Sequence, residues 1–252
     1  MRETRDVMGM PVTIDVRDPG VPPAALADAY ADLRRVDERF STYRPDSEVC
    51  RIDRGELRPE DASPDLRLVL DLCEHYRRAT RGWFAARIGG RLDPSGLVKG
   101  WAIDRACAIL ERRGARNYVV CAGGDVAARG HSGAGEPWRV GIRHPVERGM
   151  VARIVLATDL AVATSGTYEK GGHVLDPGTG RPAVDVLSVT VVGSDIVEAD
   201  VHATAALAMG RPGLELIEDL DGYEGYAIFP DLRATWTSGF DALCDLTAVA
   251  GA

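Results

Sequence analysis

The sequence predicts an α+β fold: mixed, largely antiparallel sheets with packed helices, folded as one compact unit over residues 1–252. Three observations predict it. Strand-like runs follow one another across Gly- or Pro-centred breaks, as in NYVVCAGGDVAARG, which is the pattern of hairpins. Only some of these runs alternate with helices, so a doubly wound parallel sheet is not expected. No linker, repeat or low-complexity tract divides the chain, and its length suits a single core.

The elements follow in order. VMGMPVTIDV alternates well enough for one strand. A helix is expected over about Pro23 to Phe40, where Pro stands near the start and apolar residues recur at helical spacing. STYRPDSEV is expected as a loop. The next helix has Ser63 as N-cap, Pro64 in its first turn, arginines in its last turn and Gly82 as a stop. A Gly- and Pro-rich stretch then leads into a helix from about Leu97 to Arg113. NYVVCAGGDVAARG predicts strand, Gly-Gly turn and strand; PWRVGIRHP, MVARIVLA and LAVATSG predict further strands. KGGHVLDPGTGRPA is turn-rich, and VLSVTVVG is a strand. Residues 195–210, DIVEADVHATAALAMG, form a small apolar helix stopped by Gly210-Arg211-Pro212. GLELIEDLDG predicts a short helix, and EGYAIFP and RATWTSG predict a closing hairpin across Pro230-Asp231.

Composition narrows the function. The formal charge is −8, with apolar content of 45% and charged content of 27%. That is ordinary for a globular protein and argues against nucleic-acid binding, which needs a basic stripe. An acidic protein handling phosphates is expected to recruit a divalent cation against the repulsion. The five cysteines show no CxxC pair, the pattern of a reducing compartment. No window approaches a membrane span, and the N-terminal residues lack an apolar signal core, so a cytoplasmic location is expected. Only Lys99 and Lys170 are lysines against a large excess of arginine, which hints that a compact ammonium is wanted at those positions.

Five stretches carry candidate chemistry. Asp200 and Thr204 stand four apart on one helical face, where a carboxylate and a hydroxyl can hold one hard divalent cation. The same spacing fits a capping Asp and a Thr bonding back to its own helix, and spacing alone favours that plainer reading. In LDPSGLVKGWAID a turn enters a helix whose first turn carries Lys99, an arrangement suited to an anion or to an ordinary helix start. Gly123 and Gly124 in CAGGD allow close backbone approach, or form a plain turn. Thr164, Ser165 and Gly166 offer hydroxyls and open backbone, and His173 follows as an acid–base candidate; GxSxG is absent. Tyr43 stacks on an aromatic ligand or merely packs.

The order of these blocks is more specific than any one of them. MG on the first strand, FSxYxxxSE, DPSGLVKGWxxD, NYVVxxGGD, WRVGIRHP, VATSGTYE…HVLDPxTGxP and SVTVVGxxxxxADxxATAALxMG together resemble the ApbE-type FAD:protein FMN transferases, from Met8 to Gly210. The resemblance implies a T-fold-like unit that takes FAD as substrate with Mg²⁺. It implies transfer of the FMN moiety to a Thr or Ser hydroxyl of an acceptor flavoprotein, with release of AMP. By motif, Asp200 and Thr204 then look like metal ligands, with the Gly96 carbonyl as a third. Met8, Tyr43, Lys99, Asp104, Gly123, Gly124, Asp125 and Thr164 to Gly166 fall on blocks that line the flavin nucleotide site. His173 or Asp200 takes the hydroxyl proton, and Lys99 or nearby amides hold an outer phosphate oxygen. The same residues would serve a Mg²⁺-dependent FAD pyrophosphatase or, without turnover, an FAD-binding module.

Overall fold

Period-two burial builds the main sheet. In the computed structural model, which describes residues 1–147, 149–167 and 174–247, β1 (Arg2–Val7) and β2 (Met10–Val16) pair as a hairpin. β3 (Arg87–Ile88) and β4 (Arg91–Leu92) make a minimal hairpin of their own. β5 (Tyr118–Ala122) and β6 (Asp125–Arg129) form the expected Gly-Gly hairpin, and β7 (Trp138–Arg143) pairs with β8 (Val151–Ala157). β9 (Ala161–Gly166), β10 (Ser188–Gly193), β11 (Glu224–Ile228) and β12 (Ala234–Trp236) complete an eight-stranded sheet in the order β1-β2-β5-β6-β9-β10-β11-β12. Every pairing among the described residues is antiparallel.

The helices cover one face of this sheet: α1 (Ala24–Phe40), α2 (Glu48–Asp53), α3 (Pro64–Ala79), α4 (Ser95–Arg112), α5 (Ile196–Met209) and α6 (Gly213–Glu218). The β7–β8 hairpin covers part of the other face. Neighbouring residues divide between the two sides, as alternation requires: Val191 joins the helix-side core, while Val192 packs with Ile142, Val155 and Phe240. β9 and β10 are consequently buried almost throughout, which suits their small and β-branched residues.

Local signals account for the helix ends. The Ser63 hydroxyl accepts the Leu66 amide at 3.3 Å with Pro64 behind it, as the sequence predicts. Three expectations are corrected. VMGMPVTIDV is two strands, because Met8 (φ 55°) and Gly9 (φ 71°) form a two-residue turn whose twist suits a hairpin. A methionine in the left-handed region is costly locally and is not legible as a turn signal. The expected loop STYRPDSEV yields to α2 at Glu48, capped by the Ser47 hydroxyl. α4 begins at Ser95, earlier than Leu97, since Asp93 accepts the Ser95 amide.

The crossing of α4 and α5 depends on one residue. A Cβ at Gly100 would lie 2.9 Å from the Ile196 carbonyl oxygen, 3.0 Å from Val197 Cα and 3.2 Å from Asp200 Cβ. Backbone on the far side cannot yield cheaply, so the helices must part. Gly100→Ala is expected to destabilise the protein by about 1–3 kcal/mol in urea unfolding. An unchanged midpoint would show that the crossing tolerates a methyl group.

Candidate active site

Two glycine-bearing turns and the end of β9 meet at one end of the sheet. Antiparallel pairing of β2 with β5 brings Met8-Gly9 beside Gly123-Gly124, and a Cβ on Gly123 would sit 2.8 Å from Met10 Sδ. Gly123 (φ 58°) and Gly124 (φ 98°) make a second tight hairpin turn, which delivers Asp125 at the first position of β6. β9 runs past that position, so the Thr164 amide donates to Asp125 Oδ1 at 3.0 Å.

Asp125 is fully buried, and so, nearly, is Asp200. Between them lies the Lys99 ammonium from α4, with Nζ 2.6 Å from Asp125 Oδ2 and 3.3 Å from Asp200 Oδ1. The other Asp200 oxygen, Oδ2, accepts the Gly100 amide at 3.0 Å. Asp200 Oδ1 and Asp125 Oδ2 have no aligned hydrogen-bond donor; the lysine charge is what faces them. One turn along α5, the Thr204 hydroxyl lies 3.0 Å from Ser165 Oγ, and Thr164 Oγ1 lies 2.8 Å from Thr190 Oγ1. Gly96, in the first turn of α4, abuts Thr204: a Cβ there would fall 3.8 Å from Thr204 Oγ1 and 3.2 Å from Phe84 Cε2.

Electrostatics follow from burial. Removal from water pushes the Asp200 carboxyl up to about 7, against the pull of Lys99 and with the Asp125 charge adding to the rise. For Lys99, burial works against the ammonium, but the charges of Asp125 and Asp200 outweigh it and hold it well above its ordinary value. Lys99 is therefore a permanent cation flanked by two carboxylates.

The structure thus brings together Gly96, Lys99, Asp125, Thr164, Ser165, Asp200 and Thr204 from four elements. Gly166 ends β9 beside them, opposite Ser188 of β10. Met8 stays at its turn, half-buried. Tyr43 does not pack: it is 87% exposed in the loop before α2. Asp104 is exposed on α4, and its charged neighbours are Asp195, Arg129 and Glu111 rather than Lys99. His173 lies outside the described residues, as does Lys170. Sequence reasoning missed Gly100 and Thr190. An uncapped glycine inside a strongly helical run was the available signal for Gly100; a threonine on a buried strand carries none.

Among the described residues no group of three or more His, Cys, Asp and Glu is placed to hold a metal. A cation here would be held by oxygen: the unmatched Asp200 Oδ1, the Thr204 hydroxyl and the Gly96 carbonyl, a set that suits a hard divalent ion. A cleft of about 730 Å³ elsewhere, between α1 and the C-terminal half of α4, does not compete. Three of its four arginines pair with its own acids, Arg105 and Arg35 with Asp32 and Arg113 with Asp28. No helix among the described residues is long and apolar enough to cross a membrane.

Comparison with known proteins bears on the family and the fold. The ApbE family profile matches residues 8–91 and 86–227. The FAD:protein FMN transferase of Vibrio cholerae is 35% identical over 287 aligned positions, covering 84% of this chain and 85% of the relative. The solved flavin transferase ApbE from Vibrio cholerae superposes with a TM-score of 0.83 at 25% identity, over 96% of this chain and 98% of that one. The ApbE protein of Thermotoga maritima shares the fold with a TM-score of 0.86 at 23% identity, over 96% and 98%.

Proposed function

The chain belongs to the ApbE family, and from that membership we propose that it is an FAD:protein FMN transferase that moves the FMN moiety of FAD to a Thr or Ser hydroxyl of an acceptor flavoprotein, with Mg²⁺, and releases AMP. The observation that carries the metal part of the reading is the buried Asp200 Oδ1, which has no aligned hydrogen-bond donor, lies 3.3 Å from the Lys99 ammonium and sits one helical turn from the Thr204 hydroxyl. Mg²⁺ at Asp200, Thr204 and the Gly96 carbonyl would offset the charge of the diphosphate and of the departing AMP.

The remaining work falls to the chain itself. The Ser165 hydroxyl lies 3.0 Å from Thr204 Oγ1, and this pairing fixes the orientation of the Thr204 side chain at the site. The Gly100 amide holds Asp200 Oδ2, and Oδ1 faces the Lys99 ammonium at 3.3 Å. Lys99 is committed to two carboxylates, so backbone amides rather than this ammonium are left to meet the outer phosphate oxygens. The Met8-Gly9 and Gly123-Gly124 turns stand at the same end of the sheet, and Gly9 has open space around it, which suits close approach of the flavin nucleotide. The acceptor oxygen bonds to the phosphorus of the FMN half, the bond from that phosphorus to the bridging oxygen breaks, and AMP leaves with that oxygen. The acceptor proton goes to a base. Asp200 is assigned to the metal, with Oδ2 held by the Gly100 amide, which favours His173 as the base, a role that rests on its position in the sequence.

The test is a mass assay with FAD, Mg²⁺ and an acceptor flavoprotein bearing a Thr. The expected result is an acceptor heavier by one FMN, with one AMP per transfer. Free FMN and AMP with an unmodified acceptor would replace transfer by pyrophosphate hydrolysis. FAD recovered intact and bound would reduce the protein to a flavin-binding module.

A further inference from the structure

We propose that Asp125 is a positioning residue: it tethers the Lys99 ammonium away from Asp200 Oδ1 and so keeps that oxygen available to the divalent cation. The inference rests on the reading of Asp200 as a metal ligand. Three observations carry it. Lys99 Nζ is unequally shared, 2.6 Å from Asp125 Oδ2 and 3.3 Å from Asp200 Oδ1. Asp125 is fully buried on β6, where it cannot line a flavin site by contact and where a buried carboxylate is costly unless paired. Its other oxygen is fixed by the Thr164 amide at 3.0 Å, which anchors the carboxylate to the sheet rather than to a mobile loop.

The physical consequence is a competition. Lysine and metal are both cations, and both seek Asp200 Oδ1. A flexible four-carbon stem lets the ammonium move toward whichever carboxylate attracts it more. With Asp125 ionised and rigidly placed, the ammonium rests on Asp125. Without that charge, Asp200 becomes its only counter-ion, and the lysine closes on the oxygen the metal needs. Asp125 would then act on the metal through Lys99, without touching metal or FAD. Outer partners of metal ligands typically change affinity by about 10–100-fold.

Asp125→Asn is the informative substitution, because its amide oxygen can still accept the Thr164 N–H while the lysine's acceptor oxygen is replaced by an uncharged NH2 donor. Mn²⁺ binding to the purified chain, followed by electron paramagnetic resonance, reads the site without turnover. Asp125→Asn is expected to weaken Mn²⁺ binding about tenfold or more. Adding Lys99→Met, which removes the competing ammonium, is expected to restore affinity to within about threefold of wild type. A structural role for Asp125 would not be rescued by removing a lysine. Wild-type affinity in Asp125→Asn, or a double variant as weak as the single one, overturns the inference. Should Asp125→Asn fail to fold, Lys99→Met alone carries the test: Mn²⁺ must bind it at least as tightly as wild type, and weaker binding overturns the proposal. Asp200→Asn separates the two layers of argument. If wild type shows no saturable Mn²⁺ site, or if Asp200→Asn leaves that site intact, the metal assignment itself falls and this inference with it.

Discussion

Asp200→Ala is expected to remove FMN transfer almost entirely, with kcat/KM lower by about a thousandfold, equivalent to about 4 kcal/mol of lost transition-state stabilisation. The loss follows from two effects at one position. The only carboxylate of the proposed oxygen set disappears, and the remaining hydroxyl and carbonyl are weak ligands for a hard dication. The fold should survive, since Lys99 keeps its 2.6 Å partner in Asp125 and the helix crossing depends on Gly100. A metal-free Asp200→Asn protein should even melt higher than metal-free wild type near neutral pH. Burial disfavours the Asp200 carboxylate, so replacing it with a neutral isostere removes a standing cost. Transfer assays with calorimetry on the same samples decide the matter. Retained turnover in Asp200→Ala would move the metal elsewhere.

The second large effect is a pH dependence of stabilisation by Mg²⁺. The Asp200 carboxyl stands near 7 in the folded, metal-free chain, against 3.8 for an ordinary aspartate. The folded state thus holds a proton there, between about pH 4 and 7, that the unfolded chain has released, and this group adds stability as pH falls through that window. Mg²⁺ requires the ionised form. Apparent Mg²⁺ affinity is therefore full above pH 7 and falls by up to about tenfold per pH unit below it. The rise in melting temperature on adding Mg²⁺ should be large at pH 8 and nearly absent at pH 5. A rise of equal size at both pH values would show that the site does not titrate in this range. Any loss from general acid unfolding is corrected by Asp200→Asn, whose response to Mg²⁺ should be flat.

The relation between sequence and site is uneven, and the reason is physical. Helical periodicity placed Asp200 and Thr204 on one face of α5, and the structure keeps them there. Ser63, Pro64 and the paired glycines marked their cap and their turn because those residues satisfy or relax the backbone locally. Met8-Gly9 reads in the sequence as part of a strand and not as a turn because its left-handed methionine is held by the pairing of β1, β2 and β5, not by its own preference. Tyr43 and Asp104 fall on family motifs yet stand apart from the buried cluster. A motif records the neighbourhood of a site and not the direction of each side chain.

What the sequence by itself determined is therefore the class of fold, most element boundaries and the shared face of Asp200 and Thr204 on α5. Each of these depends on spacing along a few turns or strands. What only the tertiary structure decided is which faces meet. Gly100 lets α4 approach α5, and a lysine at 99 thereby falls between carboxylates from positions 125 and 200. No local period encodes that meeting. It arises because burial is satisfied by the whole chain at once, and two carboxylates can share an apolar interior only where folding also delivers the cation that pairs them.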